Sequence, residues 1–170
     1  KALAYCLVYD ENELTKILSL IEDIPYEIIG AGSNILIRDS GFNGILFKLG
    51  RGFNNIKLHE SVLEVGASIL DVNLAKYTRN KNINHFEFLS GIPGSIGGAI
   101  KMNAGCYGSE TRDILKEIKI LSPNGKLKYL NKDEIELSYR SSNIPQGCII
   151  ISANFYYSYG KTEEIISRTK

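Results

Sequence analysis

Glycine is concentrated in two windows of this 170-residue chain, and that distribution constrains the fold more than any other feature of the sequence. Twelve of the sixteen glycines lie within residues 30–52 and 91–108. Below, the names first window and second window refer to one part of each stretch, residues 30–34 and residues 91–99. Glycine adopts positive φ readily, and it lets a ligand approach the main chain without meeting a Cβ atom. We therefore expect two segments in which the backbone turns tightly or comes close to a ligand.

The overall composition excludes several classes of protein. Twenty Lys and Arg against nineteen Asp and Glu leave a net charge of +1, so a broad electrostatic surface for nucleic acid or for an anionic membrane is not expected. The contents of hydrophobic residues, 44%, and of charged residues, 23%, are ordinary for a globular domain. No apolar run approaches the about 18–20 residues that span a bilayer. We predict a cytoplasmic globular chain that binds neither nucleic acid nor membrane.

The cysteines and histidines give no sign of a metal site. Cys6, Cys106 and Cys148 are scattered and form no C-x-x-C pair, which argues against a disulfide framework and against a zinc cluster. We interpret them as small buried thiols in a reducing compartment. His59 and His85 lie in unrelated contexts, and we interpret each as a surface or packing residue. No metal is predicted.

The first fifty residues predict a compact β-α-β-β unit. Its strands are expected at residues 2–9, 26–29 and 45–49, and extended structure is also expected to resume at 35–37. Asp10 and Glu13 resemble a capping box that begins a helix. The apolar face of that helix is predicted from residues at helical spacing, Leu14, Ile17, Leu18 and Ile21. Turn residues at 39–41 and 43–44 precede the last strand.

The rest of the chain mixes helices with hairpins. A strand is expected at 62–65, followed by a helix that Ser68 and Asp71 begin. Strands at 117–121 and 126–130 flank the turn Pro123-Asn124-Gly125, Asn131 and Glu134 cap a helical turn, and a β-rich segment closes the region at 147–159. This mixed order favours an α+β fold over a doubly wound parallel sheet.

The element pattern also suggests where the chain divides. We predict a small β-α-β-β subdomain over residues 1–52 and a larger α+β subdomain over residues 53–160. Residues 161–170 are expected to begin a further helix. Because both ends interrupt recognisable elements, we interpret the chain as a fragment of a longer protein.

The first window, Gly30-Ala31-Gly32-Ser33-Asn34, is suited to phosphate, because successive backbone N–H groups in such a turn form a concave anion site. A plain tight turn remains the alternative. The dinucleotide fingerprint fails because Ile35 stands where the third glycine belongs and a strand is expected next. A Walker A loop fails at Phe155, and a nucleophile elbow fails at Pro93. A phosphate site here therefore requires another fold.

The second window, residues 91–99, is denser in glycine. Four glycines around Pro93 are unlike an ordinary helix interior, while Ile92, Ile96 and Ile100 supply apolar anchors that a flexible linker lacks. We expect its backbone to lie against a flat or phosphorylated ligand. Further along, Arg140 is either a surface residue or a bidentate clamp for a carboxylate or phosphate.

Together these segments resemble the UDP-N-acetylenolpyruvoylglucosamine reductase family, also called UDP-N-acetylmuramate dehydrogenases. The matching runs are residues 30–36, 41–44, 89–99, 102–105, 107–108 and 139–142. The resemblance implies a two-subdomain α+β FAD-binding fold of the vanillyl-alcohol-oxidase (PCMH) type, with the flavin between the subdomains. The first window would hold the diphosphate, and the second would run along the diphosphate, the ribityl chain and the isoalloxazine.

The resemblance also assigns residues. It implies non-covalent FAD contacts from Gly30, Ala31, Gly32, Ser33, Asn34, Ile35, Gly91, Ile92, Gly94, Ser95, Ile96, Gly97, Gly98, Ala99, Asn103, Gly105 and Tyr107. Arg140 matches the family's catalytic arginine, and Tyr139 beside it is expected to bind substrate with it. The catalytic serine and glutamate of the family match no residue here, so we expect no substantial reductase activity from these 170 residues alone.

The activity that the resemblance implies belongs to peptidoglycan precursor synthesis. In the family, NADPH reduces FAD, and hydride then passes to C3 of the enolpyruvyl group of UDP-N-acetylglucosamine enolpyruvate, giving UDP-N-acetylmuramate. A monomer is favoured. Two alternatives remain: another flavin oxidoreductase on the same scaffold, such as an oxidase of small alcohols with Cys106 or His85 as a covalent flavin link, or a non-catalytic module that binds flavin or nucleotide.

Overall fold

The computed structural model describes residues 1–21 and 23–168. The first region contains β1 (Ala2–Val8), α1 (Glu11–Leu20), β2 (Tyr26–Ile28) and β3 (Phe42–Leu49). Strand β3 lies between β1 and β2 and pairs with both in parallel. Its Phe47 and Leu49 are buried in the core with the apolar face of α1.

The extended structure that we expected at residues 35–37 does not form a strand, and those residues have no regular structure. Parallel neighbours cannot be joined by a tight hairpin, so residues 29–41 cross from the end of β2 to the start of β3. The predicted turn at 43–44 is also wrong, because both residues lie within β3. A Cβ on Gly44 would lie 2.3 Å from the Pro25 carbonyl oxygen, so glycine serves close packing there.

The predicted start of α1 is confirmed, with one difference in its hydrogen bonds. The Asp10 carboxylate accepts from the Glu13 backbone N–H at 2.8 Å. The returning bond, at 2.6 Å, runs from the Tyr9 backbone N–H to the Glu13 carboxylate and so bypasses Asp10. Leu14 and Leu18 are fully buried on the predicted apolar face.

The larger region follows in chain order. Its elements are β4 (Ile56–Leu58), β5 (Leu63–Gly66), α2 (Asp71–Asn80), α3 (Ile96–Lys101), β6 (Gly105–Cys106), β7 (Ser109–Glu110), α4 (Thr111–Ile114), β8 (Leu115–Leu121), β9 (Leu127–Asn131), β10 (Leu137–Ser138), β11 (Ser141–Ser142), β12 (Ile149–Phe155) and α5 (Thr162–Arg168). Short 3-10 helices lie at Arg51–Phe53, Glu87–Gly91 and Lys132–Glu134.

Five of these strands form an antiparallel sheet in the order β4-β5-β12-β8-β9. The predicted hairpin joins β8 to β9, and Gly125 in its turn has a φ of +73°. Asn131 and Glu134 form the predicted capping box, on a 3-10 helix. The α+β class is confirmed.

Two predictions about helices in this region are wrong. Helix α2 begins at Asp71 with Leu70 as its N-cap, whereas the Ser68 hydroxyl donates to the Gly50 carbonyl at 3.2 Å. Residues 96–99 of the second window lie in α3, which contains Gly97 and Gly98, although we expected this window to be unlike an ordinary helix interior. Tertiary packing overrides the low helix propensity of glycine here.

Side-chain hydrogen bonds and a shared core join the two regions. The Lys119 ammonium on β8 donates to both oxygens of the Glu11 carboxylate on α1, at 2.7 and 2.8 Å. The Tyr26 hydroxyl donates to the Gly147 carbonyl at 2.7 Å. The buried apolar residues of both regions form one core cluster.

The remaining sequence predictions concern the last helix and the isolated side chains. Helix α5 agrees with the helix expected from 161 onward, and its predicted final positions, 169–170, lie outside the described residues. The three cysteines are half-buried free thiols rather than fully buried ones. His59 and His85 are both exposed. In the described part of the chain, no helix has the length and hydrophobicity to cross a bilayer.

Candidate functional site

The two glycine windows line one cavity of about 450 Å³. The first window reaches it as the loop that follows β2, and its cavity-lining residues are Gly30, Ala31, Gly32, Ser33, Asn34 and Ile35. The second window reaches it as the segment that leads into α3, with Ile92, Gly94, Ser95, Gly97, Gly98 and Ala99. A cavity of this size is ordinary for a small-molecule or cofactor site.

Two of the cavity glycines leave space for a ligand. Gly32 has a φ of +83°, and a Cβ built on it would have no protein atom within 4 Å. A Cβ on Gly98 would meet only the Ser95 hydroxyl oxygen, at 3.7 Å. The positive φ of Gly32 itself favours glycine, whereas no packing contact explains Gly98, whose missing Cβ keeps cavity volume open.

Two other cavity glycines instead permit close packing within the protein. A Cβ on Gly97 would lie 3.2 Å from the Cβ of Ala67, and the Gly97 backbone N–H donates to the Ala67 carbonyl at 2.9 Å. A Cβ on Gly94 would lie 2.5 Å from Oδ2 of Asp71. Glycine therefore lets α3 and the segment before it lie directly on their neighbours.

Arg140 also lines the cavity, from the turn between β10 and β11. It has a φ of +55°, and its guanidinium carbon lies 5.8 Å from the centre of the Tyr139 ring. Tyr139 itself is 85% exposed and does not line the cavity. The turn thus carries an exposed cation to the cavity rim.

Five predicted FAD contacts lie outside this cavity, namely Gly91, Ile96, Asn103, Gly105 and Tyr107. Ile96 is part of the core. Asn103 is buried with a φ of +39°, and its amide nitrogen donates to the Glu110 carboxylate at 2.5 Å. These two side chains contribute to the protein's own packing and hydrogen bonding.

The other three of the five lie close to one another. A Cβ on Gly91 would lie 2.9 Å from both Sγ of Cys106 and the Tyr107 ring, and one on Gly105 would lie 2.7 Å from the Ser109 carbonyl oxygen. Tyr107 is 79% exposed. It borders a second cavity, of about 440 Å³, with His85, Glu87, Phe88, Ser90, Ser109 and Arg168.

Several cavity residues escaped the sequence predictions. Lys48 on β3 points away from its buried neighbours Phe47 and Leu49, and its ammonium donates to the Gly30 carbonyl. The alternation along β3 was a signal for this orientation, but nothing in the sequence tied that face to the first window. Cys148 and Glu27 also line the cavity.

Asp71 is the most unusual group in the cavity wall. It is fully buried, and neither of its carboxyl oxygens has a hydrogen-bond partner among the described residues. Its backbone N–H donates to the Gly94 carbonyl at 3.1 Å. Burial raises the pKa of this carboxyl to about 7, because the charged form is poorly solvated there.

The charges around the cavity favour an anionic ligand. Its basic side chains are Lys48, Lys101 and Arg140, and its acidic ones are Glu27 and Asp71. Since the raised pKa keeps Asp71 largely protonated below neutral pH, the cations then exceed the anions by two. Within residues 1–21 and 23–168, no group of three or more His, Cys, Asp or Glu could hold a metal ion.

A family model and several sequence relatives match most of this chain. The family model described as "FAD binding domain" matches residues 2–131. The UDP-N-acetylenolpyruvoylglucosamine reductase of Rickettsia massiliae is 45% identical over 147 residues, which are 86% of this chain and 50% of that protein. The enzyme of the same name from Rickettsia felis is 42% identical over 161 residues, 94% of this chain and 55% of that protein. The chain thus spans about half the length of these relatives.

Solved structures show the same fold. The UDP-N-acetylenolpyruvylglucosamine reductase of Thermus caldophilus matches with a TM-score of 0.87 and 29% identity, over 97% of this chain and 59% of that one. An alkyldihydroxyacetonephosphate synthase matches with a TM-score of 0.65 and 15% identity, over 91% of this chain and 31% of that one. The second likeness concerns the fold alone.

Proposed function

The chain belongs to the FAD binding domain family, and from that premise we propose that it is the flavin-binding part of a UDP-N-acetylenolpyruvoylglucosamine reductase. The observation that carries the proposal is the meeting of both glycine windows at one cavity. Relatives that are 45% and 42% identical over 86% and 94% of this chain bear that enzyme name.

The residues around the cavity fit FAD. Its diphosphate needs N–H donors and positive charge, which the turn at residues 30–34 and the basic side chains around the cavity supply. Its flat ring and ribityl chain need main chain without a side chain, which Gly98 supplies. We propose that residues 1–52 hold the diphosphate and that residues 53–160 hold the rest of the cofactor.

Bound FAD supplies hydride transfer chemistry, and the chain's own residues bind and orient what reacts. The Arg140 guanidinium at the cavity rim can bind a substrate carboxylate bidentately and stabilise negative charge that develops beside it. The exposed Tyr139 ring would lie against the substrate next to it. We propose that the five predicted contact residues outside the cavity either support its walls or contact the substrate once it is bound.

The full proposal includes the substrates and setting of the reaction. UDP-N-acetylglucosamine enolpyruvate is the acceptor, and NADPH is the reductant. The product feeds cytoplasmic synthesis of cell wall precursors, on which cell shape and division depend. Since the chain spans about half of its relatives, we propose that turnover also needs groups in a further segment such as theirs.

A covalent flavin link through Cys106 or His85 has no geometric support, because neither residue lines the cavity of the two windows. The alternative of an alcohol oxidase therefore rests on the shared flavin scaffold alone. A non-catalytic flavin-binding module differs from our proposal in the role of Arg140, which it leaves without a function.

The proposal is tested first by flavin binding. We expect the purified chain to bind one FAD, seen as quenched flavin fluorescence and a shifted absorption spectrum, and to release it intact on denaturation. Absence of FAD binding would contradict the proposal, and flavin that stays attached after denaturation would contradict the non-covalent mode.

Catalysis is tested by joining this chain to the remaining half of the Rickettsia massiliae relative. We expect the fusion to oxidise NADPH in the presence of UDP-N-acetylglucosamine enolpyruvate and the 170-residue chain to show no substantial turnover. Arg140→Met should lower kcat of the fusion about 100-fold or more while FAD still binds. A fusion that binds FAD but turns over equally well with Arg140→Met would refute the role of this residue.

A further inference from the structure

Lys48 is a cation placed in the wall of the cavity beside the first glycine window. It lies on β3, where its neighbours Phe47 and Leu49 are buried in the opposite face of the sheet. Strand alternation therefore turns the lysine side chain toward the cavity. The side chain is half-buried, and its ammonium donates to the Gly30 carbonyl.

The Lys48 ammonium uses only one of its N–H donors among the described residues. An ammonium group carries three N–H donors, and among the described residues Lys48 has one hydrogen-bond partner, the Gly30 carbonyl. No ion pair joins Lys48 to a carboxylate within the part of the chain that the structure describes. A partly desolvated cation that is held by a neutral carbonyl is a good partner for an anion.

The position of the Lys48 ammonium indicates which anion it would bind. Its single partner belongs to the first residue of the window whose backbone is open to the cavity at Gly32. Ser33 and Asn34 line the same part of the cavity with hydroxyl and amide groups. N–H donors, short polar side chains and an ammonium group together form a phosphate site.

We propose that Lys48 binds the diphosphate of the cofactor directly and makes the cavity selective for phosphorylated flavins. The inference rests on the proposed function, because it assigns a contact to the cofactor named there. The bond to the Gly30 carbonyl orients the ammonium, and its remaining donors bind phosphate oxygen. Charge-assisted hydrogen bonds of this kind are about twice as strong as neutral ones.

The test compares ligands that do and do not carry phosphate. FAD, ADP and riboflavin are titrated into wild-type chain, Lys48→Met, Lys48→Arg and Lys76→Met by fluorescence or calorimetry. Lys76 is an exposed lysine that does not line the cavity, so its variant controls for the loss of one charge. Circular dichroism verifies that each variant is folded.

We expect Lys48→Met to weaken FAD and ADP about tenfold or more and to change riboflavin less than twofold. Lys48→Arg should restore most of the affinity, and Lys76→Met should have little effect. The wild-type Kd for FAD should also rise more steeply with salt than that of Lys48→Met. If Lys48→Met weakens riboflavin as much as FAD, the residue only positions the Gly30 loop and the proposal is overturned.

The same experiment separates this inference from the proposed function. A wild-type chain that binds ADP through Lys48 but does not bind FAD would refute the flavin function and support the phosphate contact. A chain that binds FAD equally well with and without Lys48 would support the function and refute the contact. If neither ligand binds the wild-type chain, both proposals fail.

Discussion

Gly30 and Ser95 form the contact at which the two glycine windows meet: a Cβ placed on Gly30 would lie 2.5 Å from the Ser95 hydroxyl oxygen. Gly30 follows β2 of the first sheet, whereas Ser95 is buried and forms a bridge with Leu70 of the second region. The contact therefore sets the spacing between the two cavity walls. Any side chain at position 30 would clash with Ser95 and push the two cavity walls apart unless the Ser95 hydroxyl turns away.

A double-mutant cycle measures that contact. Gly30→Ala should lower the free energy of unfolding by about 1 kcal/mol, because the Ser95 hydroxyl must turn away or the loop must shift. Ser95→Ala removes the oxygen in the way, so the double variant should recover much of the loss. We expect a coupling energy of about 0.5–1 kcal/mol in urea unfolding. Additive effects would show that the windows do not touch in solution, and Gly30→Ala with Ser90→Ala is the uncoupled control.

Gly97 and Gly98 are neighbours in α3 that meet different surroundings, so the same substitution should affect stability differently at the two positions. Gly98→Ala adds a methyl group that meets only the Ser95 hydroxyl oxygen, at 3.7 Å, and should stabilise the ligand-free chain by up to about 1 kcal/mol through helix propensity. The same methyl group enters the cavity and should weaken FAD binding at least about tenfold. Thermal unfolding and FAD titration give the two readouts.

Gly97→Ala is the matched control for that variant. Its methyl group would lie 3.2 Å from the Ala67 Cβ, so we expect it to gain less stability than Gly98→Ala or to lose some. If Gly98→Ala leaves the affinity for FAD unchanged, position 98 does not face the cofactor.

Arg140 occupies the second position of a two-residue turn with a φ of +55°. Glycine is favoured there in turns with this geometry, so Arg140→Gly should raise the free energy of unfolding by about 0.5–1 kcal/mol. The turn disfavours arginine at this position, and a role for the guanidinium at the cavity rim would explain why Arg140 is nevertheless present. Tyr107→Gly, also at a φ of +55°, is the control for relief of strain outside the cavity. Loss of stability in Arg140→Gly would show that the guanidinium serves the fold instead.

The parts of the fold that the sequence predicts are those in which neighbours along the chain decide the structure. The start of α1 depends on Asp10 and Glu13, and the β8–β9 hairpin depends on the turn that contains Gly125. The expectation of extended structure at 35–37 failed for the opposite reason. Whether β3 pairs in parallel is decided by distant strands, and only that pairing turns residues 29–41 into a crossover.

The residues of the candidate site also fall into two groups, those that the sequence predicts and those that only tertiary packing reveals. The density of glycine predicted both windows, because a backbone that must lack Cβ atoms requires glycine, and glycine is visible in the sequence. It could not separate Gly98, which faces the cavity, from Gly97, which packs on Ala67. Nor could it find Lys48 or Asp71, since each reaches the cavity only through strand and helix packing across the two regions.

The buried carboxyl of Asp71 should make stability depend on pH. The unfolded chain releases this proton near the ordinary pKa of 3.8, whereas the folded chain holds it until pH is about 7. Between these values the folded state binds more protons than the unfolded state, so stability falls as pH rises from about 4 to about 7 and stays low above. Asp71→Asn cannot ionise and should lack this decline.

We therefore expect Asp71→Asn to unfold at a higher urea concentration than wild type at pH 8, with a gain on the order of 2–4 kcal/mol. The gain should vanish near pH 4, where the wild-type carboxyl is protonated in the folded state and largely so in the unfolded one. Asp133→Asn, which changes an exposed carboxyl, controls for the loss of one negative charge. Parallel stability curves for wild type and Asp71→Asn across this pH range would mean that the carboxyl is solvated in solution, because only a desolvated group resists ionisation up to neutral pH.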